Sequence, residues 1–150
     1  MCVAHQLTCT CGKNSAGFHA KDSILPADVV QRLFCPACSS RAVFDPATML
    51  ADNGWVIEYN MDIARFMLKN KSLAGNISPD FVFDEGYCTW NGVYPTDIVD
   101  SARERQELLK LAQTDKKRYF EEFKNWGINR MERLAREGWR KAHERENVHT

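Results

Sequence analysis

The 150-residue sequence predicts an α+β protein, with a small antiparallel sheet that carries two cysteine turns, followed by a helical C-terminal arm or hairpin. Three observations carry that expectation. Cys9-x-Cys11 and Cys35-x-x-Cys38 are two close thiol pairs separated by 23 residues. Trp55-Val56-Ile57-Glu58-Tyr59 alternates large apolar with smaller or charged residues, the period-two pattern of a strand. From Tyr119 to Ala142, apolar residues recur at helical spacing and cover one broad face. The chain accordingly divides into a cysteine-clamped region over 1–59, a helix plus aromatic loop over 60–95 that packs on it, and a helical region over 96–150.

Val3 to Thr8 reads as a strand entering the first cysteine turn, and Gly12-Lys13-Asn14-Ser15 supplies turn residues after Cys11. Phe18 to Leu25 is a second extended piece. Pro26-Ala27-Asp28 begins a helix of a turn or two, stopped by Cys35-Pro36, because proline disfavours helix at the residue before it. Arg41 to Asp45 is expected to be a strand leaving the second turn. Asp45-Pro46 opens a helical turn that Asn53-Gly54 closes. Asn60 caps a helix carrying Ile63, Phe66 and Met67. Pro79 to Tyr87 reads as extended, and residues 85–95 as an aromatic loop. Ser101-x-x-Glu104 fits a capping box, with Thr96 or Asp97 as earlier starts, and Thr114-Asp115 marks a break or a fresh N-cap. Residues 115–146 read either as one helix, in which Gly127 and Gly138 permit close approach by another backbone, or as two with a break near Gly127, the reading slightly preferred.

With 44% hydrophobic and 11% aromatic residues the chain can bury a core, and its composition is not that of a disordered segment. Formal charge is zero but unevenly spread. Residues 1–99 carry seven Lys/Arg against ten Asp/Glu, and residues 100–150 carry thirteen against ten. Four thiolates on a divalent metal would add roughly two negative charges to the first segment, so the two parts can attract each other without an outside anion. No apolar run approaches a membrane span, and the start MCVAHQLTCTCGK lacks the apolar core of a signal peptide. These features lead us to expect a cytoplasmic protein with no membrane partner. In a reducing compartment, clustered cysteines point to metal or redox chemistry rather than to disulfides.

Cys9, Cys11, Cys35 and Cys38 are the candidate metal ligands, with His5 and Cys2 as nearby substitutes. Thiolate sulfur at about 2.3 Å suits tetrahedral zinc. In the Cys35-Pro36-Ala37-Cys38 turn, backbone amides can hydrogen-bond the sulfurs, and Gly12 follows the second ligand of the first turn. Here the residues resemble the zinc-ribbon superfamily, over roughly residues 3 to 59. That resemblance implies two knuckles, each followed by a strand, pinned by one Zn2+. Two departures from its pattern stand out: Cys-x-Cys is one residue short, and Ser39 replaces a common glycine.

A rubredoxin-like Fe(Cys)4 electron carrier would use the same ligands, but rubredoxins have two Cys-x-x-Cys knuckles and no helical extension of this length. A thioredoxin-like dithiol at Cys35 and Cys38 lacks the long following helix and the βαβ pattern. Four thiolates leave no open position for hydrolysis, and no catalytic motif is present, so no enzyme activity is expected. Cys88 reads as an isolated thiol, since His5, His19, His143 and His149 are all distant in sequence.

Protein binding, to another subunit or to a second copy through the C-terminal helices, is the expected function. Trp90 and Tyr94 in the aromatic loop, with Trp126, Met131, Leu134 and Trp139 on the helices, are the candidate contact residues. Arg118, Arg133, Arg136 and Arg140 form the basic set that nucleic-acid binding would use. Interleaved glutamates favour a solvated, ion-paired face there instead.

Overall fold

A computed structural model describes residues 2–21, 23–71 and 76–142. The chain divides into two compact units, Met1–Asn91 and Gly92–Thr150. Both expected components of the α+β fold are present: small antiparallel sheets in the first unit and helices in the second.

In the first unit, β1 (Cys2–Thr8) and β2 (Ser15–Lys21) form a hairpin in register from Cys2 opposite Lys21 to Thr8 opposite Ser15. Ala16, Phe18 and Ala20 alternate inward along β2, as a half-buried strand requires. A second sheet has the order β3-β5-β4, from β3 (Val30–Phe34), β4 (Met49–Asp52) and β5 (Trp55–Tyr59). Val30 and Leu33 thus lie on a strand, preceded by a single 3-10 turn at Ala27–Val29, where the sequence suggested a short helix. The expected strand at Arg41–Asp45 is irregular chain, and a turn rather than a helix precedes Met49. Asn53 and Gly54 both have positive φ, 48° and 90°, so they close the β4–β5 hairpin rather than a helix. A two-residue Asn-Gly loop of this hand matches the twist of antiparallel strands.

Asn60 caps α2 (Met61–Leu68) by accepting from the Ile63 amide. Pro79–Asp84 is a helix, α3, not an extended segment. Ser78 accepts from the Phe81 amide and Pro79 occupies the first turn, where its missing N–H costs nothing. Within the presumed aromatic loop, Cys88–Trp90 forms β6, antiparallel to β2 and completing the order β1-β2-β6. Trp90 is fully buried, contradicting its expected role as a surface anchor. It packs on Phe18, Trp55 and Phe83 with ring centroids 5.2, 6.1 and 5.9 Å away. Its indole N–H donates to buried Asp52 at 2.8 Å, which provides the polar partner that a buried tryptophan needs. The Tyr59 hydroxyl donates to the Cys88 carbonyl at 2.6 Å.

The second unit is a helical hairpin, α4 (Asp97–Ala112) and α5 (Lys116–Glu137). Helix α4 starts at Asp97 with Thr96 as its N-cap, ahead of the Ser101 capping box. Asp97 turns back to accept from the Val93 amide at 2.8 Å and forms a buried ion pair with Arg130. Asp115 caps α5 through the Arg118 amide, and Gly138, with φ 87°, ends it in the left-handed conformation. No break occurs at Gly127: α5 is continuous over 22 residues. Contacts to α4 on either side of the glycine account for this. Trp126 donates to Glu104 at 3.2 Å and Arg130 pairs with Asp97. Both brace the helix across a glycine that costs about 1 kcal/mol in a helix interior.

Candidate metal centre

The first knuckle is the turn of the β1–β2 hairpin. The Cys9 amide donates to the Asn14 carbonyl at 2.7 Å and the Gly12 amide to the Cys9 carbonyl at 2.8 Å. Gly12 has φ 77°, a conformation glycine adopts without a Cβ penalty. The chain then reverses tightly enough for the Lys13 amide to donate to Cys11 Sγ at 3.4 Å.

The second knuckle follows β3. Cys35 is extended, Pro36 starts the short helix α1 (Pro36–Ser39), and the Cys38 and Ser39 amides return to the Cys35 carbonyl at 2.9 and 2.8 Å. Two contacts join the knuckles: the Thr10 amide to the Leu33 carbonyl at 3.2 Å, and the Cys35 amide to Cys9 Sγ at 3.1 Å. Ser39, the apparent departure from the ribbon pattern, has its hydroxyl 2.6 Å from the Gly54 carbonyl. It thereby ties the second knuckle to the β4–β5 turn, and Pro36 fills the space beside Gly54, 3.2 Å from where a Cβ would stand.

These turns bring the sulfurs of Cys9, Cys11, Cys35 and Cys38 within 4.8 Å of one another. The Cys11 and Cys35 sulfurs are 3.9 Å apart. A tetrahedron with metal–sulfur bonds of about 2.3 Å has an edge of about 3.8 Å, so the donor set fits one ion. Cys9 and Cys35 are buried, Cys38 is half-buried and Cys11 is exposed.

The electrostatics also favour thiolate. Burial opposes ionisation of Cys9, but the Cys11 and Cys35 amides and the neighbouring thiols outweigh it and hold the group down to about 6. Cys35 is likewise lowered: burial raises it, but the Asn14 side chain and the Cys38 amide prevail. Cys38 is pushed up to about 12, first by its hydrogen bond to Cys9 and then by burial. Cys9 and Cys35 are thus the thiols favoured for ionisation, and a divalent cation would allow Cys38 to ionise as well.

The substitute ligands fare differently. His5 is not among the four clustered residues; it lies on β1 opposite Phe18. The Cys2 side chain, His143 and His149 lie outside the described residues. Asn14 and Ser39 are site residues the sequence reading missed. Their only signal was a polar side chain beside a knuckle, and their partners are remote in sequence.

The expected contact residues divide. Leu134 is 1% exposed, buried with Val93 and Ala142, and so joins Trp90 as a core residue rather than a surface one. Tyr94 stacks on Trp139 at 5.4 Å, and Trp126 bonds Glu104. Met131 is half-buried. Of the basic set, Arg118 and Arg136 are exposed and Arg140 is half-buried, while Arg133 approaches Glu104 and Glu137 at 3.8 and 3.9 Å.

No family model matches the chain, and no curated protein or solved structure matches it either. The functional conclusion therefore rests on the site: four cysteines in a geometry compatible with a zinc-ribbon-like centre and able to bind a metal ion. No helix among the described residues is long and apolar enough to cross a membrane.

Proposed function

We propose that this is a non-enzymatic protein with one structural zinc, acting as a protein-binding accessory or regulatory subunit. The convergence of four sulfurs within 4.8 Å, with backbone amides on Cys9 and Cys11, carries the metal part of this reading. Four thiolates close the shell, leaving the ion to hold two turns together. The core beside the knuckles is small: Phe34, Met49 and Val56 form a satellite cluster apart from the main core. An ion there supplies the cohesion that so few side chains cannot.

The outer side of α5 supports the partner part. Phe120 and Ile128 are 68% and 48% exposed, and a Cβ on Gly127 would meet nothing within 4 Å. Another backbone can therefore approach α5 closely at Gly127, two turns from Phe120 on the same side.

Metal analysis with a visible spectrum tests the first claim. A colourless protein with one zinc per chain is expected, whereas a coloured iron centre would replace it with electron transfer. Light scattering of the zinc-loaded protein and of Phe120→Glu tests the second. Association lost in the variant supports self-association through α5; a monomer in both leaves α5 to a different subunit.

A further inference from the structure

The first unit contains a cavity apart from the cysteine cluster. Strands β1 and β3 are edge strands of their respective sheets, and both run toward the knuckles. The Thr10–Leu33 hydrogen bond joins them at that end. Toward the other end lies a cavity of about 320 Å3. Its floor is Phe18, Ala20, Val30 and Cys88, all 5% exposed or less, and half-buried His5 and exposed Asp28 stand at its mouth. The small side chain of Ala20 beside Phe18 leaves the room.

We propose that this slot binds a small hydrophobic amine, an aromatic group of about two fused rings carrying an ammonium. An apolar cavity of about 150 Å3 accepts benzene, so twice that volume suits a bicyclic ring. A few polar groups at the rim of an apolar cavity are what fix a ligand's orientation. Here Asp28 supplies negative charge, and no Lys or Arg lines the slot among the described residues. A carboxylate-bearing ligand would meet only repulsion from Asp28.

The slot binds its ligand without reacting with it. His5 pairs with Phe18, which pairs with Trp90, while Cys88 pairs with Ala20. These pairings put the two residues on strands separated by β2, at registers two residues apart.

Tryptamine titrated into the 15N-labelled, zinc-loaded full chain is the test, with indole-3-acetate as the charge-reversed control. Saturable amide shifts are expected at His5, Ala20, Val30 and Cys88, on strands of both sheets. Tryptamine should bind roughly two- to fivefold more tightly than indole-3-acetate. Asp28→Lys, at an exposed position, should reverse that preference, and Ala20→Leu should abolish saturation by filling the slot. Absence of saturable shifts at millimolar tryptamine, shifts confined to other residues, or an unchanged preference in Asp28→Lys would each overturn the proposal.

Discussion

At the scale of single residues, burial and hydrogen bonding separate the four ligands. Cys9 is buried and accepts the Cys35 amide, whereas Cys11 is exposed. Asn14 lowers Cys35 through its side chain, making it a positioning residue for the metal. Asn14→Ala should therefore retain one metal ion but bind it roughly tenfold more weakly, as competition with a chromophoric chelator would show. Equal affinity would remove Asn14 from the site. The four clustered cysteines were legible in the sequence because each pair is local. Asn14 and Ser39 were not, because their partners, Cys35 and the Gly54 carbonyl, reach them only through the fold. Trp90 was misread for the same reason, since its burial depends on Phe18, Asp52, Trp55 and Phe83, all supplied from other elements. Tyr94 gives a second test. Burial, with Asp100 and Asp97 beside it, pushes its phenol up to about 12. The raised value favours the neutral form in the folded state. Its contribution is therefore complete below the ordinary value of 10 and is lost as pH rises through about 12. The denaturation midpoint of the second unit should fall less steeply over that window in Tyr94→Phe than in the parent.

At the scale of elements, local signals succeeded where the deciding contact was local. Asn60 and Asp115 cap α2 and α5 with their own side chains, and both starts were visible in sequence. The alternation of Phe81 and Phe83 concealed α3, although Ser78-Pro79 is a helix-start signal. Strand β6 has three residues and exists through its pairing with β2, some seventy residues earlier in the chain, so no window of sequence could reveal it. The two glycines of the C-terminal helical region now have opposite roles, which makes them a paired prediction. Gly138 has φ 87°, and Gly138→Ala should cost about 1 kcal/mol. Gly127 is helical with open space beside it, so Gly127→Ala should stabilise the hairpin by about 1 kcal/mol. Urea unfolding followed by circular dichroism would measure both. A loss at Gly127 would mean that the glycine is already covered by another chain under the conditions used.

At the scale of the whole molecule, the cysteine cluster and the main core serve different parts of the first unit. The main cluster runs from Ala16 and Phe18 through Leu50, Ile57 and Tyr59 to Val82, Phe83 and Trp90, and includes none of the four ligands. The knuckles depend instead on the satellite cluster of Phe34, Met49 and Val56 and on hydrogen bonds that terminate at sulfur. Removing the ion leaves thiols that must share protons, with Cys38 well above its ordinary value, and weakens the attraction joining the two turns. Chelation should therefore open the metal end first. Hydrogen exchange should accelerate at the amides of Thr10, Lys13 and Cys35, whose acceptors belong to the knuckle assembly. The amides joining β2 to β6, backed by Trp90, should remain protected, as should those of α5 in the second unit. Exchange that accelerates equally throughout 1–91 would mean that the ion is required for the main core as well. No acceleration at Thr10, Lys13 and Cys35 would mean that the knuckles stand without it, and the structural role would fail. The graded outcome is expected because, without the ion, nothing charged draws the four sulfurs of the two turns together, while buried aromatic packing is indifferent to the metal.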